Sequence, residues 1–314
     1  MRQLGDTNLR ITPVGIGAFA MGGWMWGGQD DAQSEAAIRA ALDAGINWID
    51  SAPIYGEGKA SEAVGRVLKK MPSDQRPLVF TKFGHHLIDG ERVTNACAAN
   101  VEKDCEEELA RLGVERLDLF QLHWPAPQPV EETAGACERL LKAGKIRAVG
   151  VSNFDALQLA AWEATGVPLH SVQNQGSLVK PKDLTSILPW CLKNNVGTLV
   201  YSPLFRGLLT GTWDANKTFP PGDHRGERDD FRGERLKRGL QAVEELRTLG
   251  REYGLSVPQL AVGWLLFFNG VTGVIVGART AEQAAALGNL AVSLTQRQFD
   301  AVDVIAQRYF TSTP

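Results

Sequence analysis

Apolar residues along the chain fall into short runs separated by longer stretches of helical spacing. Residues 14–19, 46–49, 78–83, 117–122, 146–151, 170–173, 197–201 and 271–276 are short, mostly apolar and rich in β-branched side chains. Bounded by Gly, Pro or polar residues, they predict buried strands. Between them, the stretches 34–44, 61–70, 95–111, 131–143, 155–164, 184–194, 233–253, 257–268, 281–287 and 296–309 repeat apolar residues at helical intervals. Ala36, Ala37, Ala40 and Ala41 share one side of the first, and Val101, Cys105 and Leu109 are spaced by four in the third. Ser34, Ser61 and Asp155 are placed as N-caps, and Gly144 as a helix stop. Pro189 should interrupt the helix 184–194. Residues 4–16 alternate around Gly5 and Pro13, predicting a short hairpin that closes one end of the domain, and 85–92 read as a polar loop.

Strands alternating with helices imply parallel pairing with helical crossovers. Eight such units predict an α/β fold of the (β/α)8 TIM-barrel type, with an N-terminal β-hairpin and extra C-terminal helices. The whole of 1–314 reads as one barrel domain. The segment GIGAFAMGG after the first strand is too loosely spaced for the glycine-rich dinucleotide turn of a Rossmann unit. Residues 205–233 are too long for a plain connector. They read as a solvated excursion or a mobile flap, and the flap is favoured because the segment follows a strand end.

Composition narrows the class. Net charge is −3, from 33 Lys+Arg against 36 Asp+Glu, which argues against a nucleic-acid surface. No apolar run reaches the roughly 18 residues of a membrane span, and the start MRQLGDTNLRI has no signal-peptide core. Cys97, Cys105, Cys137 and Cys191 form no CxxC pair and read as reduced thiols of a cytoplasmic protein. With five histidines and no ligand spacing, no metal site is expected.

Candidate chemistry sits at strand ends. In INWIDSAPIYG, Asp50 ends one strand and Tyr55 follows in a tight turn; VFTKF places Lys82 and LDLFQLHWP places His123 at the next two. A phenol is a poor acid, with an unperturbed pKa of about 10. A neighbouring cation makes it a better one, and a cation in a dry site needs a counter-charge. Singly, each residue is better explained by a cap, a packing contact or a solvated end. Together they can converge across one barrel mouth as a proton-delivery site around Tyr55.

The sequence resembles an aldo-keto reductase, of the bacterial and potassium-channel-β-like branch. The segments that carry this are NWIDSAPIYGEGKASEAVGRVL (47–68), FTKFG (80–84), LDLFQLHWP (117–125), GKIRAVGVSNF (144–154), LVYSPLFRGLLTG (199–211), FPPGDHR (219–225) and VIVGARTAEQ (274–283). The resemblance implies a catalytic tetrad of Asp50, Tyr55, Lys82 and His123, with Tyr55 as general acid and Lys82 lowering its pKa. It implies a nicotinamide dinucleotide, with Ser152, Asn153 and Gln173 on the carboxamide and Tyr201 stacked on the ring. Ser202, Leu204 and Arg206 would follow the pyrophosphate, and Gly277, Arg279 and Gln283 the adenosine. Arg279 suits a 2′-phosphate, so NADPH is expected, with NADH as the alternative. Ala286 and Leu287 stand where the family usually has Glu and Asn. Trp24, Trp26 and Trp124 are candidates for the wall of the substrate pocket. The implied activity is reduction of small aldehydes, ketones or sugars to alcohols. Oxidation of a sugar or alcohol, and a slowly turning regulatory subunit, stay open, as do the substrate and the oligomeric state.

Overall fold

The computed structural model describes residues 1–23 and 25–311. Eight of the strands formed by these residues close into a parallel barrel: β1 Val14–Gly17, β2 Trp48–Asp50, β3 Leu78–Phe83, β4 Leu119–Leu122, β5 Val149–Ser152, β6 Ser171–Gln175, β7 Gly197–Tyr201 and β8 Val271–Gly277. β8 pairs back onto β1, with Val274 opposite Val14 and Gly277 opposite Gly17, so the barrel has no free edge.

Period-two alternation sorts each strand into two faces. Ile16, Ile49, Val79, Phe120, Val149, Val172, Val200 and Val274 point outward into the main core beneath the helices. Trp48, Phe80, Leu119, Ala148, Leu199 and Ile275 point inward and form a second, separate cluster. Leu4, Leu9 and Ile11 cap that cluster from the N-terminal hairpin, whose strands Arg2–Gln3 and Arg10–Ile11 are antiparallel. The hairpin therefore plugs the N-terminal end of the barrel, as expected, within narrower bounds than the sequence implied. Trp48 fills the interior and donates its indole N–H to the Thr12 carbonyl at 2.9 Å. Its ring requires glycine at position 15, where a Cβ would lie 2.2 Å from the indole.

Several boundaries moved for local reasons. The first helix is Asp31–Asp43, capped by Asp30, whose carboxylate accepts from Gln33 N at 2.9 Å; Ser34 is buried inside it and is not the cap. Its first turn is polar, so the apolar phase began one turn late. Helix Lys59–Lys69 starts after Gly58 at φ 95°, and Ser61 is again internal and buried. Asp155 does cap Ala156–Ala164, in a reciprocal box with Gln158. Residues 182–193 form two short helices, Lys182–Thr185 and Leu188–Lys193, with Pro189 in the first turn of the second. The expected polar loop 85–92 is a hairpin, His85–Ile88 against Glu91–Thr94, turning on Asp89 and Gly90 at φ 51° and 81°. Two positive φ values in succession, on an Asp-Gly pair, make a turn that suits the twist of a hairpin.

The excursion after β7 is not simply solvated. It runs through short 3-10 turns at Phe205–Thr210, His224–Glu227 and Asp229–Phe231, and gathers Phe205, Trp213, Phe219 and Phe231 into an aromatic cluster. It docks on the loop after β1: Asp223 pairs with Trp26, and His224 N donates to the Met25 carbonyl at 3.0 Å. The four cysteines are free thiols. Among the described residues no helix is long and apolar enough to cross a membrane.

Candidate active site

Two residues further along each strand, the barrel interior changes character. Asp50 follows Trp48 on β2 and Lys82 follows Phe80 on β3, both still facing inward. Their exposures are 2 % and 0 %. His123 comes just after β4 and is 9 % exposed. Tyr55 is half-buried in the turn after β2, where its N–H donates to the Ala52 carbonyl at 3.0 Å. Gly22 lets the loop after β1 lie directly on this turn: a Cβ there would stand 2.6 Å from the Tyr55 carbonyl carbon.

The Lys82 ammonium uses its three donors on Asp50 Oδ1 at 2.6 Å, the Ser51 carbonyl at 2.9 Å and Tyr55 Oη at 3.3 Å. The second Asp50 oxygen accepts from Gln173 Nε2 at 2.8 Å. The His123 ring stands edge-on to Tyr55, with centroids 5.7 Å apart. All four expected tetrad residues are therefore brought together.

Their electrostatics differ from the expectation in one respect. Burial, and after it the Asp50 charge, raises the Tyr55 phenol well above its ordinary value. Lys82 donates to the phenol oxygen and favours the phenolate, but the opposing influences prevail, so the phenol rests protonated. Burial lowers the Lys82 ammonium while Asp50 acts to raise it. Burial, then the Lys82 charge, holds His123 well below the usual imidazole range, so it is neutral.

The adjoining strand ends form a second polar group. Ser152 Oγ donates to the Gln173 carbonyl at 2.7 Å. Asn153, at φ 63°, donates to the His123 carbonyl at 3.0 Å and to Ser152 Oγ at 3.1 Å. Tyr201 Oη donates to Asn153 Oδ1 at 2.7 Å. After β7, Ser202, Phe205 and Arg206 all take left-handed backbone, at φ 59°, 44° and 54°. Non-glycine residues in that region cost of order 1–3 kcal/mol each and tend to cluster at ligand sites. Leu204 packs against the core beside them. Among the described residues the Arg206 guanidinium takes part in no ion pair or hydrogen bond; only its carbonyl is engaged, by Arg225 NH1 at 3.1 Å. Burial and the nearby Arg228 charge both lower its pKa.

A third polar group is built on β8. Gly277 ends the strand, and Arg279 N donates to Gln283 Oε1 at 2.9 Å. The Arg279 guanidinium reaches across to the loop after β1. It donates to Gln29 Oε1 at 2.9 Å, to the Trp26 carbonyl at 3.0 Å and to the Gly28 carbonyl. Leu287 is 4 % exposed and belongs to the core.

Residues 13–307 match the Aldo/keto reductase family. The chain belongs to this family. It is 39% identical over 290 residues to the aldo-keto reductase YhdN of Bacillus subtilis (strain 168), an alignment covering 92% of this chain and 87% of that protein. It is 32% identical over 298 residues to the NADH-specific methylglyoxal reductase of Escherichia coli (strain K12), covering 89% and 90%. Its fold superposes on the glycerol dehydrogenase AKR11B4 from Gluconobacter oxydans with a TM-score of 0.91 at 36% identity, covering 100% and 97% of the two chains. This aldo/keto reductase is thus an oxidoreductase that works on carbonyl compounds with a nicotinamide cofactor.

The strand-end residues of the reductase suit such a cofactor. An unpaired, partly buried arginine beside a second one suits a pyrophosphate, and the Ser152–Asn153–Tyr201 group offers polar atoms around one aromatic ring. Gln173 has its two amide donors engaged by Asp50 at 2.8 Å and Gln121 at 3.4 Å, which leaves only Oε1 for a carboxamide. Of the three expected pocket tryptophans, Trp24 lies outside the described residues. Trp124 is 42 % exposed on the rim, 6.3 Å from the His85 ring. Trp26 sits on the opposite side, edge-on to His224 at 4.9 Å and beneath the Arg225 guanidinium at 4.7 Å. Sequence reasoning missed Phe19, which touches both Tyr55 and Trp26 at ring separations of 4.9 and 5.6 Å. It left His85 as solvated, yet that ring lies 5.4 Å from His123. The Asp89–Gly90 pair was the available signal for the hairpin that carries it.

Proposed function

We propose that this reductase converts small aldehydes and ketones to alcohols, with Tyr55 as general acid and NADPH as the preferred cofactor. The observation that carries the reading is the contact of the Lys82 ammonium with Tyr55 Oη, inside a buried pair with Asp50. The bound dinucleotide would supply the hydride. Tyr55 would hold its proton at the carbonyl oxygen, and being protonated at rest it is ready to donate. Lys82, 3.3 Å away, would stabilise the phenolate left behind, and Asp50 would keep Lys82 charged. Neutral His123 offers one N–H to orient the carbonyl and does not compete as an acid. Phe19, Trp26, His85 and Trp124 would form the wall against the substrate.

For the cofactor, Arg279 carries five N–H donors and uses three of them on the loop 26–29. The loop thereby fixes the guanidinium, and two donors remain for a 2′-phosphate. Arg279→Ala should weaken NADPH binding by roughly 10- to 100-fold and leave NADH within about twofold, read by quenching of tryptophan fluorescence. Equal losses for both cofactors would remove the 2′-phosphate role and turn attention to NADH, for which one relative is named.

A second reading, oxidation of a polyol or other alcohol, is favoured by the likeness to a glycerol dehydrogenase. The same residues would serve, with ionised Tyr55 as base. Comparing NADPH-dependent aldehyde reduction with NADP-dependent glycerol oxidation by the purified protein separates the two.

A further inference from the structure

Behind β3 lies a second buried carboxylate. Glu108, on the helix Ala98–Leu112, is 0 % exposed. It accepts from Thr81 Oγ1 at 2.6 Å, Ser61 Oγ at 2.8 Å and Arg111 NH1 at 3.2 Å. Three donors and no acceptor is the surrounding of an ionised group. Burial raises its pKa, and the three donors act against that.

The hydroxyl directions follow. Ser61 gives its proton to Glu108, so in the 3.0 Å contact between Ser61 Oγ and Ser51 Oγ it is Ser51 that donates. The chain runs Ser51 to Ser61 to Glu108, and every member is 0 % exposed. Ser51 is the residue whose carbonyl accepts from Lys82 Nζ at 2.9 Å. Thr81, on the other arm, immediately precedes Lys82 on β3 and points to the opposite face of the strand. Glu108 thus grips both backbone segments that carry the Lys82–Asp50–Tyr55 contacts. A leucine would fill the same volume without burying a charge.

We propose that Glu108 is a positioning residue for the catalytic group: through Ser61 and Ser51 it fixes the carbonyl that holds Lys82, and its charge acts on the ammonium from behind β3. This rests on the assignment of Lys82 and Tyr55 above. The groups around the pair are Asp50 from β2, His123 after β4, His85 and Arg92 from the hairpin, Tyr201 from β7, and Glu108 with Arg111 from the helix. Burial lowers His85 to about 4 and His123 well below the usual range, so neither changes charge above neutrality. Burial acts to lower Arg111, but Glu108 and Glu107 raise it further, so it stays charged. Asp50 and Glu108 both act to raise Lys82. Removing the Glu108 charge should let the ammonium lose its proton at lower pH.

The test is the pH profile of kcat/KM for NADPH-dependent reduction of 4-nitrobenzaldehyde, from about pH 6 to 10, in Glu108→Gln, Glu108→Asp and Ser61→Ala. Glu108→Gln should move the basic limb down by about one pH unit and lower kcat roughly tenfold, with the NADPH dissociation constant within about twofold. Glu108→Asp, which keeps the charge, should return the limb towards the wild-type position. Ser61→Ala should lower kcat about threefold, since it cuts the hydroxyl chain and spares the charge. An unshifted limb in Glu108→Gln overturns the proposal, whatever its effect on melting. If that variant does not fold, a wild-type kcat and limb in Ser61→Ala overturns it. Tyr55→Phe run alongside separates the two levels. If it turns over like wild type, the acid assignment itself fails; if it is inactive while Glu108→Gln is unshifted, only the role of Glu108 fails.

Discussion

The two halves of the barrel interior are made by the same strands and differ by two residues of chain. On β2 the lower residue is Trp48 and the upper Asp50; on β3 Phe80 and Lys82; on β4 Leu119 and Gln121; on β7 Leu199 and Tyr201. The lower layer is apolar and closed by Leu4, Leu9 and Ile11. The upper layer is polar, and hydrogen bonds tie Asp50, Lys82, Gln121 and Gln173 to one another or to the residues beside them. The comparison separates two tasks. The lower layer contributes stability through burial, about 25 cal/mol per Å² of apolar surface. The upper layer holds charges in a dry site, where they cost stability and become effective in chemistry. The bonds that hold the upper charges all lie within the upper layer, so the two tasks can be altered separately.

The comparison can be broken from below. Trp48→Ala removes the largest side chain of the floor and its bond to Thr12, and Gly15 has no side chain to fill the hole. A loss of about 3–5 kcal/mol in unfolding free energy is expected, measured by urea denaturation. The kcat of the folded fraction should stay within about fivefold of wild type, because the Lys82 contacts all lie above the cavity. A loss of activity at full folding would show that the layers are not separable in this way.

A smaller effect sharpens the comparison by pH. Burial lowers His85, His123, His170 and His224 from the usual imidazole range, and only His86, whose Nε2 lies 3.3 Å from the Asp104 carboxylate, is raised. A histidine whose folded pKa is lowered takes up its proton in the unfolded chain first, so stability is lost as pH falls below about 6.5. For His85 the loss continues towards about 4. His86 acts in the opposite sense, gaining as pH falls through its raised value. Four against one, the urea midpoint should drop between about pH 7 and pH 5, and His86→Gln should steepen the drop. A flat midpoint would contradict the burial ascribed to these rings.

Much of this was legible in the sequence, for a physical reason. Barrel strands are local, and their ends are marked by the residues that follow them. Asp50, Lys82 and His123 could therefore be placed from the runs WID, VFTKF and LDLFQLH alone. What was not legible depends on contacts between distant segments. Glu108 lies 47 residues from Ser61 and 27 from Thr81, so nothing in its own helix distinguishes it from its neighbours Glu106 and Glu107. Arg279 meets the loop 26–29 across 250 residues. Ser34 and Ser61 read as caps because serine often is one, whereas Asp30 and Gly58, one turn earlier, fill that place. The raised pKa of Tyr55 is another such case, because it follows from burial under distant segments and not from the residues beside it in the chain.

The central claim is that Tyr55 delivers the proton, and Tyr55→Phe tests it most directly, because only the hydroxyl is removed. In a single-turnover experiment with NADPH-loaded protein and excess aldehyde, the hydride-transfer rate should fall by roughly 10²- to 10⁴-fold. The dissociation constant for NADPH should stay within about twofold, since none of the hydrogen bonds described from Ser152 to Arg279 involves that hydroxyl. A transfer rate close to wild type, with cofactor bound, would contradict the assignment and leave the Lys82–Asp50 pair without its proposed task.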